Sequence, residues 1–300
     1  MNSPRIGIAI CSYKKYGYLP ETLRSALSHR YSPKKIDLLV VEDGAKNRSQ
    51  ILEAFQNTLR HSRISEGISS CHLIISDRNC GTPKARNIGM DILSESGSAL
   101  LAHLDGDDLL HPDFALALSA EIAKHENQKG IVSYSHTYGF RDGAGLTLSK
   151  ILQGTYREYV KPYGRRDLYC SVWMMPKEVY EMVGGYHEWM KERWEDAEFV
   201  DALSLMGITT YAAGTYYFYR VGTTLHDRDE ISTKNAALLW AKRLLINRSA
   251  PELSGIREDE ALMKTLEAEG LQKTRRCAGK VGLELVEGFG TLPKMERTHG

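Results

Sequence analysis

The first 105 residues hold four short, almost unbroken apolar runs separated by three stretches with helical periodicity, and this alternation limits the fold more than any other feature of the chain. A run with no polar face must be buried on both sides, and a parallel sheet covered by helices on both faces does that. Ile6 to Cys11 predicts a first strand, after which Leu19, Leu23, Ala26 and Leu27 share one helical face. Ile36 to Val41 predicts a second, with Ile51, Leu52, Phe55 and Leu59 on the next helix. Leu73 to Ser76 is a third, and Thr82 as N-cap with Pro83 as first helical residue opens a helix to about Leu93. Ala99 to Leu104 is a fourth, ending in Asp105, Gly106, Asp107 and Asp108.

Beyond Pro112 the pattern loosens. Phe114, Leu118 and Ile122 mark a helix, and the alternation Val132, Tyr134, His136, Tyr138 suits a half-exposed strand. Residues 141–168 are rich in glycine, tyrosine and charge without a period, which reads as a lid or acceptor-side region. A strand is expected at Leu168 to Met175, a helix from Pro176 to Val183 stopped by Gly184 and Gly185, a helix from Glu195 to Met206, two strands to Val221, and a helix from Thr233 to Asn247. The basic cluster Lys273, Arg275, Arg276 and Lys280 reads as a solvated face.

Composition removes several function classes. With 39 lysines and arginines against 38 aspartates and glutamates, the net charge of +1 gives no electrostatic case for a nucleic-acid partner. The five cysteines, Cys11, Cys71, Cys80, Cys170 and Cys277, have no CxxC or zinc-ligand spacing and read as reduced thiols of a cytoplasmic protein. The apolar run after MNSPR is too short for a signal peptide or a spanning helix, which leaves room only for peripheral contact with the inner membrane surface.

In an open parallel sheet, ligands bind beyond the carboxyl ends of the strands, where two acidic groups lie. Glu42 and Asp43 follow the second strand; Asp105, Asp107 and Asp108 follow the fourth. An Asp-Gly after a strand is also an ordinary turn, so Asp43 alone decides nothing. Three carboxylates in four residues repel one another, and a divalent cation such as Mn2+ or Mg2+, shared with substrate phosphates, would relieve the repulsion.

These residues sit in motifs that resemble family 2 glycosyltransferases over about residues 4–222: IAICSYKKYGYLPETLRSAL, VVEDG at 40–44, RNCGTPKARNIGM at 78–90, LDGDD at 104–108 and VGGYHEWMKERWEDAEF at 183–199. The resemblance implies an α/β protein with a single GT-A type domain, its mostly parallel, Rossmann-like sheet flanked by helices, plus a helical C-terminal extension. Residues 1–110 would be the nucleotide-sugar half, 111–232 the acceptor and catalytic-base half, and 233–300 the extension, with the tail able to pack on a second subunit or a membrane surface.

By position, the resemblance assigns Ser12, Tyr13 and Asp43 to the nucleobase, Arg86 to nucleotide support, Asp105 to the ribose and Asp107 to the metal. Asp196 becomes the base of an inverting transfer from a nucleotide diphosphate-sugar to an acceptor hydroxyl of a glycan, small molecule or protein, with Asp108 and Glu195 in support. Helix first turns favour acids in any case, so local sequence alone also allows Glu195 and Asp196 to be dipole-matched residues. His226 is the candidate to complete the metal shell, although Gly222 stands where many relatives have that histidine. Trp173 and Tyr163 are candidate acceptor contacts, with a core position as the alternative for Trp173.

Two other readings stay open. A sugar-1-phosphate nucleotidyltransferase also sets nucleotide phosphates over such a sheet, but it would normally show a glycine-rich phosphate loop, and CSYKKYGYL has a single glycine. The third reading is a nucleotide-sugar-binding scaffold without catalysis.

Overall fold

A computed structural model describes residues 3–61, 67–125, 131–142, 144–148, 172–188, 190, 195–205, 208–221 and 280–291. Strands β1 (Ile6–Ser12), β2 (Ile36–Glu42), β3 (Ser70–Ser76) and β4 (Leu100–Asp105) are parallel and lie in the order β3-β2-β1-β4. Successive side chains point to opposite faces of a strand, and both faces here are apolar. Ile6, Ile8 and Ile10 join one core with Leu19 and Leu23 of α1 (Leu19–Leu27), Ile51 and Phe55 of α2 (Arg48–His61), and Phe114 and Leu118 of α4 (Phe114–Lys124). Ala9 and Cys11 join the other, under Ala85, Ile88 and Leu93 of α3 (Thr82–Glu95). Each fully buried Ile or Leu contributes about 1.5–3 kcal/mol of transfer free energy, so these runs dominate the stability of the N-terminal half.

Helix α3 lies close on the sheet because two glycines permit it. A Cβ on Gly89 would come within 2.7 Å of the Ala9 Cβ, and one on Gly7 within 2.8 Å of the Leu93 Cβ. That close packing carries Arg86 and Asn87, both buried, to the strand ends.

The remaining sheet is mixed. Beyond β4 the order is β8 (Trp173–Pro176), β6 (Ile131–Arg141), β9 (Thr209–Arg220) and β5 (Leu109–Leu110), with β7 (Ala144–Leu148) paired to β6. β8 is antiparallel to β4 and β6, whereas β6 and β9 are parallel. Helices α5 (Lys177–Val183) and α6 (Glu195–Leu205) cover the α3 side through Val179, Tyr180, Phe199 and Leu203. Gly184, left-handed at φ 79°, ends α5.

Several expectations need correction. The two strands expected before Val221 are one twelve-residue strand, β9, whose register against β6 shifts between Tyr134 and His136. β3 begins at Ser70 and pairs with β2 from Ser70 to Ile75. Gly81, not Thr82, is the N-cap of α3, and Thr82 is its first helical residue. Part of the expected lid is β7, in a hairpin with β6. The extension is not wholly helical: β10 (Leu283–Phe289) adds antiparallel to β3 at the sheet edge. The expected helix at 233–247, most of the tyrosine-rich loop, and Lys273, Arg275 and Arg276 lie outside the described residues.

Candidate active site

The chain winds outward from β1 through β2 to β3 and then returns to place β4 on the other side of β1, so the sheet has its topological switch point between β1 and β4. At that point Cys11 is opposite Asp105, and Gly106 N–H donates to the Cys11 carbonyl at 2.8 Å. A Cβ on Gly106 would stand 2.9 Å from the Ser12 Cβ. Glycine is what lets the β4 loop lie directly on the end of β1, and Thr22 of α1 fixes it by donating to the Gly106 carbonyl at 3.1 Å.

Each of the three aspartates after β4 has a different partner. Asp105 accepts Arg86 Nη2 at 2.9 and 3.1 Å. Burial acts to raise its pKa, but Arg86, His103 and Lys15 outweigh burial and lower it. Asp107 accepts Lys15 Nζ at 2.6 Å. Asp108 accepts Arg220 N–H at 2.8 Å and the Tyr217 hydroxyl. Burial first, and then Asp105 and Asp107, hold its carboxyl well above the ordinary carboxylate range. Arg220, itself buried, also donates Nε to the Asp107 carbonyl at 2.8 Å and Nη2 to Glu21 at 2.6 Å. Asp108 and Arg220 thereby tie the acidic loop to the last strand of the mixed half.

Arg86 continues across the site. Its Nη1 donates to Glu195 Oε1 at 3.0 Å, so one guanidinium holds both the end of β4 and the first turn of α6. Burial raises the Glu195 carboxyl more than Arg86 lowers it, and Asp196 adds to the rise, to about 7. Asp196 is half-buried beside it, on the same helical turn. Behind them, Tyr186 bonds His103 at 3.1 Å and stacks on Phe199 at 4.5 Å.

At the end of β2, Asp43 is held by the chain itself. Its Oδ1 accepts Cys80 N–H at 2.7 Å and its Oδ2 accepts Gly81 N–H at 2.8 Å, just ahead of α3. Neighbouring Glu42 is fully buried, accepts Lys14 N–H at 3.1 Å, and is raised by burial. Ser12 Oγ and Glu42 Oε2 are buried without a hydrogen bond of normal geometry. Unsatisfied polar atoms at strand ends are groups that a polar ligand would satisfy.

Ser12, Tyr13, Asp43, Arg86, Asp105, Asp107, Asp108, Glu195 and Asp196 therefore gather at one end of the sheet. Trp173 does not join them. It is 2% exposed, stacked at 5.5 Å on Phe199 and edge-on to His103 at 5.2 Å, so it is core and offers no acceptor surface. His226 and Tyr163 lie outside the described residues. Lys15, Tyr217 and Arg220 escape sequence reading; the only hint is that Arg220 ends a strand and Lys15 lies three residues beyond one.

Residues 7–184 match the model of Glycosyl transferase family 2. The chain belongs to this family. An uncharacterized glycosyltransferase of Haemophilus influenzae is 23% identical over 134 residues, which are 44% of this chain and 37% of that protein. The chain thus matches little more than a third of that relative's length. Among solved structures, S. aureus TarS 1-349 in complex with UDP superposes with a TM-score of 0.57 at 16% identity, covering 87% of this chain and 70% of that one. The mannosyltransferase PcManGT from Pyrobaculum calidifontis, in complex with GDP-Man and Mn2+, gives 0.55 at 12% identity, covering 90% and 70%. These likenesses show the GT-A fold of the family. Among the described residues, no helix is long and apolar enough to cross a membrane.

Proposed function

We propose that this family 2 chain is a catalytic glycosyltransferase. It moves a sugar from a nucleotide diphosphate-sugar to an acceptor hydroxyl, by metal-assisted single displacement with inversion, in glycan or polysaccharide assembly. The observation that carries the reading is the Arg86 bridge: one buried guanidinium joins Asp105, at the donor end of the sheet, to Glu195, next to Asp196. A scaffold that only bound nucleotide would have no use for fixing a second acidic helix at that distance.

The donor half, to residue 110, supplies Ser12, Tyr13 and Asp43 for the base and Asp105 for the ribose. Asp107 holds Mn2+ or Mg2+. Among the described residues no three His, Cys, Asp or Glu side chains form a cluster able to hold a metal unaided. Asp107, a buried carboxylate just after β4, supplies the hard oxygen donor that a small cation takes together with substrate phosphates, so the donor set fits. The metal, when bound, stabilises the negative charge of the departing nucleoside diphosphate. Asp196 takes the acceptor hydroxyl proton as that oxygen attacks the anomeric carbon from the face opposite the leaving group. Glu195 and Arg86 orient the turn on which Asp196 sits. His226 is a candidate further metal ligand and Tyr163 a candidate acceptor contact. UDP, bound in one structural neighbour, and GDP, the nucleotide of the GDP-Man bound in the other, are the first nucleotides to test.

The test separates binding from chemistry. Asp196→Asn is expected to bind UDP or GDP with Mn2+ as the wild type does, by calorimetry, and to transfer sugar about 100- to 10,000-fold more slowly. An undiminished transfer rate would remove Asp196 from the base role. Failure of the wild type to bind either nucleotide would overturn the donor reading.

A further inference from the structure

The carboxylate proposed to hold the metal already has a cation on it. Lys15 Nζ lies 2.6 Å from Asp107 Oδ2, with the Lys15 side chain 21% exposed and that of Asp107 4% exposed. This contact is built rather than incidental. The β1–α1 loop turns through a left-handed residue at Lys14, φ 58°, a conformation that L residues other than glycine, asparagine and aspartate rarely take. Glu42 secures the turn by accepting Lys14 N–H at 3.1 Å from the end of the neighbouring strand. On the other side, the Lys15 carbonyl accepts the N–H groups of Tyr18 and Leu19 at 2.9 Å, which starts α1. Lys15 is thus pinned by its backbone at both ends, and its ammonium, 5.9 Å from the Tyr18 ring centroid, is directed onto Asp107.

We infer that Lys15 is an exchangeable counter-ion of the donor site, resting on Asp107 when the site holds no donor and passing to the donor's diphosphate when a divalent cation takes the carboxylate. The inference rests on the reading of Asp107 as the metal-bearing residue. An ammonium and a divalent cation compete for the same carboxylate oxygen, so metal binds weakly on its own. A diphosphate removes the competition, because it offers Lys15 another anion and the metal further oxygen ligands. Lysine suits this task better than arginine: a compact charge on a flexible four-carbon stem can change partners without losing a bidentate geometry. Metal and nucleotide then bind cooperatively, and by linkage each strengthens the other by the same factor.

Mn2+ alone, titrated against the full-length protein with free Mn2+ followed by electron paramagnetic resonance, tests the inference. Lys15→Met is expected to bind Mn2+ about tenfold more tightly than the wild type without nucleotide, a difference of about 1.4 kcal/mol. With EDTA present it is expected to bind UDP or GDP more weakly. Lys15→Arg keeps the charge and should keep the weak Mn2+ binding, and unfolding midpoints establish that both variants are folded. Mn2+ affinity unchanged in a folded Lys15→Met would overturn the inference. Asp107→Asn distinguishes that failure from failure of the metal site itself. Loss of Mn2+ binding in Asp107→Asn leaves the metal reading standing whatever Lys15 does, and retention of binding there would overturn both.

Discussion

The acidic ends of β2 and β4 lie two strands apart on one sheet, yet their carboxylates are held in opposite ways. At the β2 end Asp43 is bound by neutral donors, the backbone amides of Cys80 and Gly81, which cannot leave, together with the Cys80 thiol at 2.8 Å. At the β4 end Asp105 and Asp107 are bound by side-chain cations: Arg86, fixed between Asp105 and Glu195, and Lys15, the ammonium inferred to exchange for a metal. Burial does not separate the two, since Asp43 and Asp107 are each 3% exposed. The nature of the partner does: an amide-held carboxylate shapes a loop, and one held by a lysine ammonium is open to exchange.

The largest expected effect lies where one cation serves two carboxylates. Arg86→Met would leave Asp105 and Glu195 buried without their shared counter-charge and should cost about 3–5 kcal/mol of unfolding free energy, measured in urea at pH 7. A loss below that of any Asp43 variant would break the contrast, since it would mean that the cations at β4 contribute less than the amides at β2.

Glu195 sharpens the same point through pH. Burial lifts its carboxyl from 4.5 to about 7 despite Arg86. A carboxyl raised in the folded state holds its proton more tightly there than in the unfolded chain. Its contribution to stability is complete below about 4.5 and is lost as the pH rises through about 7. Relative to Glu195→Gln, which cannot titrate, the wild type should lose on the order of 3 kcal/mol between pH 4.5 and 8, read from paired urea unfolding curves. A constant difference across that range would mean that Arg86 keeps Glu195 ionised throughout.

How far each region could be read from sequence follows the same division. β1 to β4 are buried on both faces, so they appear as unbroken apolar runs, and their helices carry clear stripes. β10 is an edge strand with Glu284 and Leu285 exposed, and β5 has only two residues, so neither leaves a pattern. β9, one strand in the structure, carries Gly214 in its middle and shifts register against β6, so its continuity shows only in the pairing. In the site, Asp105, Asp107, Arg86 and Glu195 stand in recognisable motifs. Lys15 meets Asp107 from 92 residues away and Arg220 meets it from 113, and such residues acquire meaning only from the contact. Asp43 was legible as a position but not as an amide-held group, because the N–H groups of Cys80 and Gly81 that hold it are backbone and leave no mark in the sequence.

Asp43→Asn is the smallest and most discriminating change. An asparagine can keep one oxygen for Cys80 N–H, but its amide nitrogen then faces Gly81 N–H, donor against donor, and the loop ahead of α3 must move or lose that bond. The expected cost is about 2 kcal/mol in urea unfolding, in the range for leaving a buried donor unsatisfied. Because Asp43 is proposed to meet the base and not the phosphates, Mn2+ affinity without nucleotide should stay within twofold of wild type. Full stability together with impaired Mn2+ binding would reverse the assignment of the two ends, making β2 the exchangeable site and β4 the fixed one. Lost stability with intact Mn2+ binding separates them as the hydrogen bonds do, since the amides that hold Asp43 belong to the fold whether or not a donor is bound.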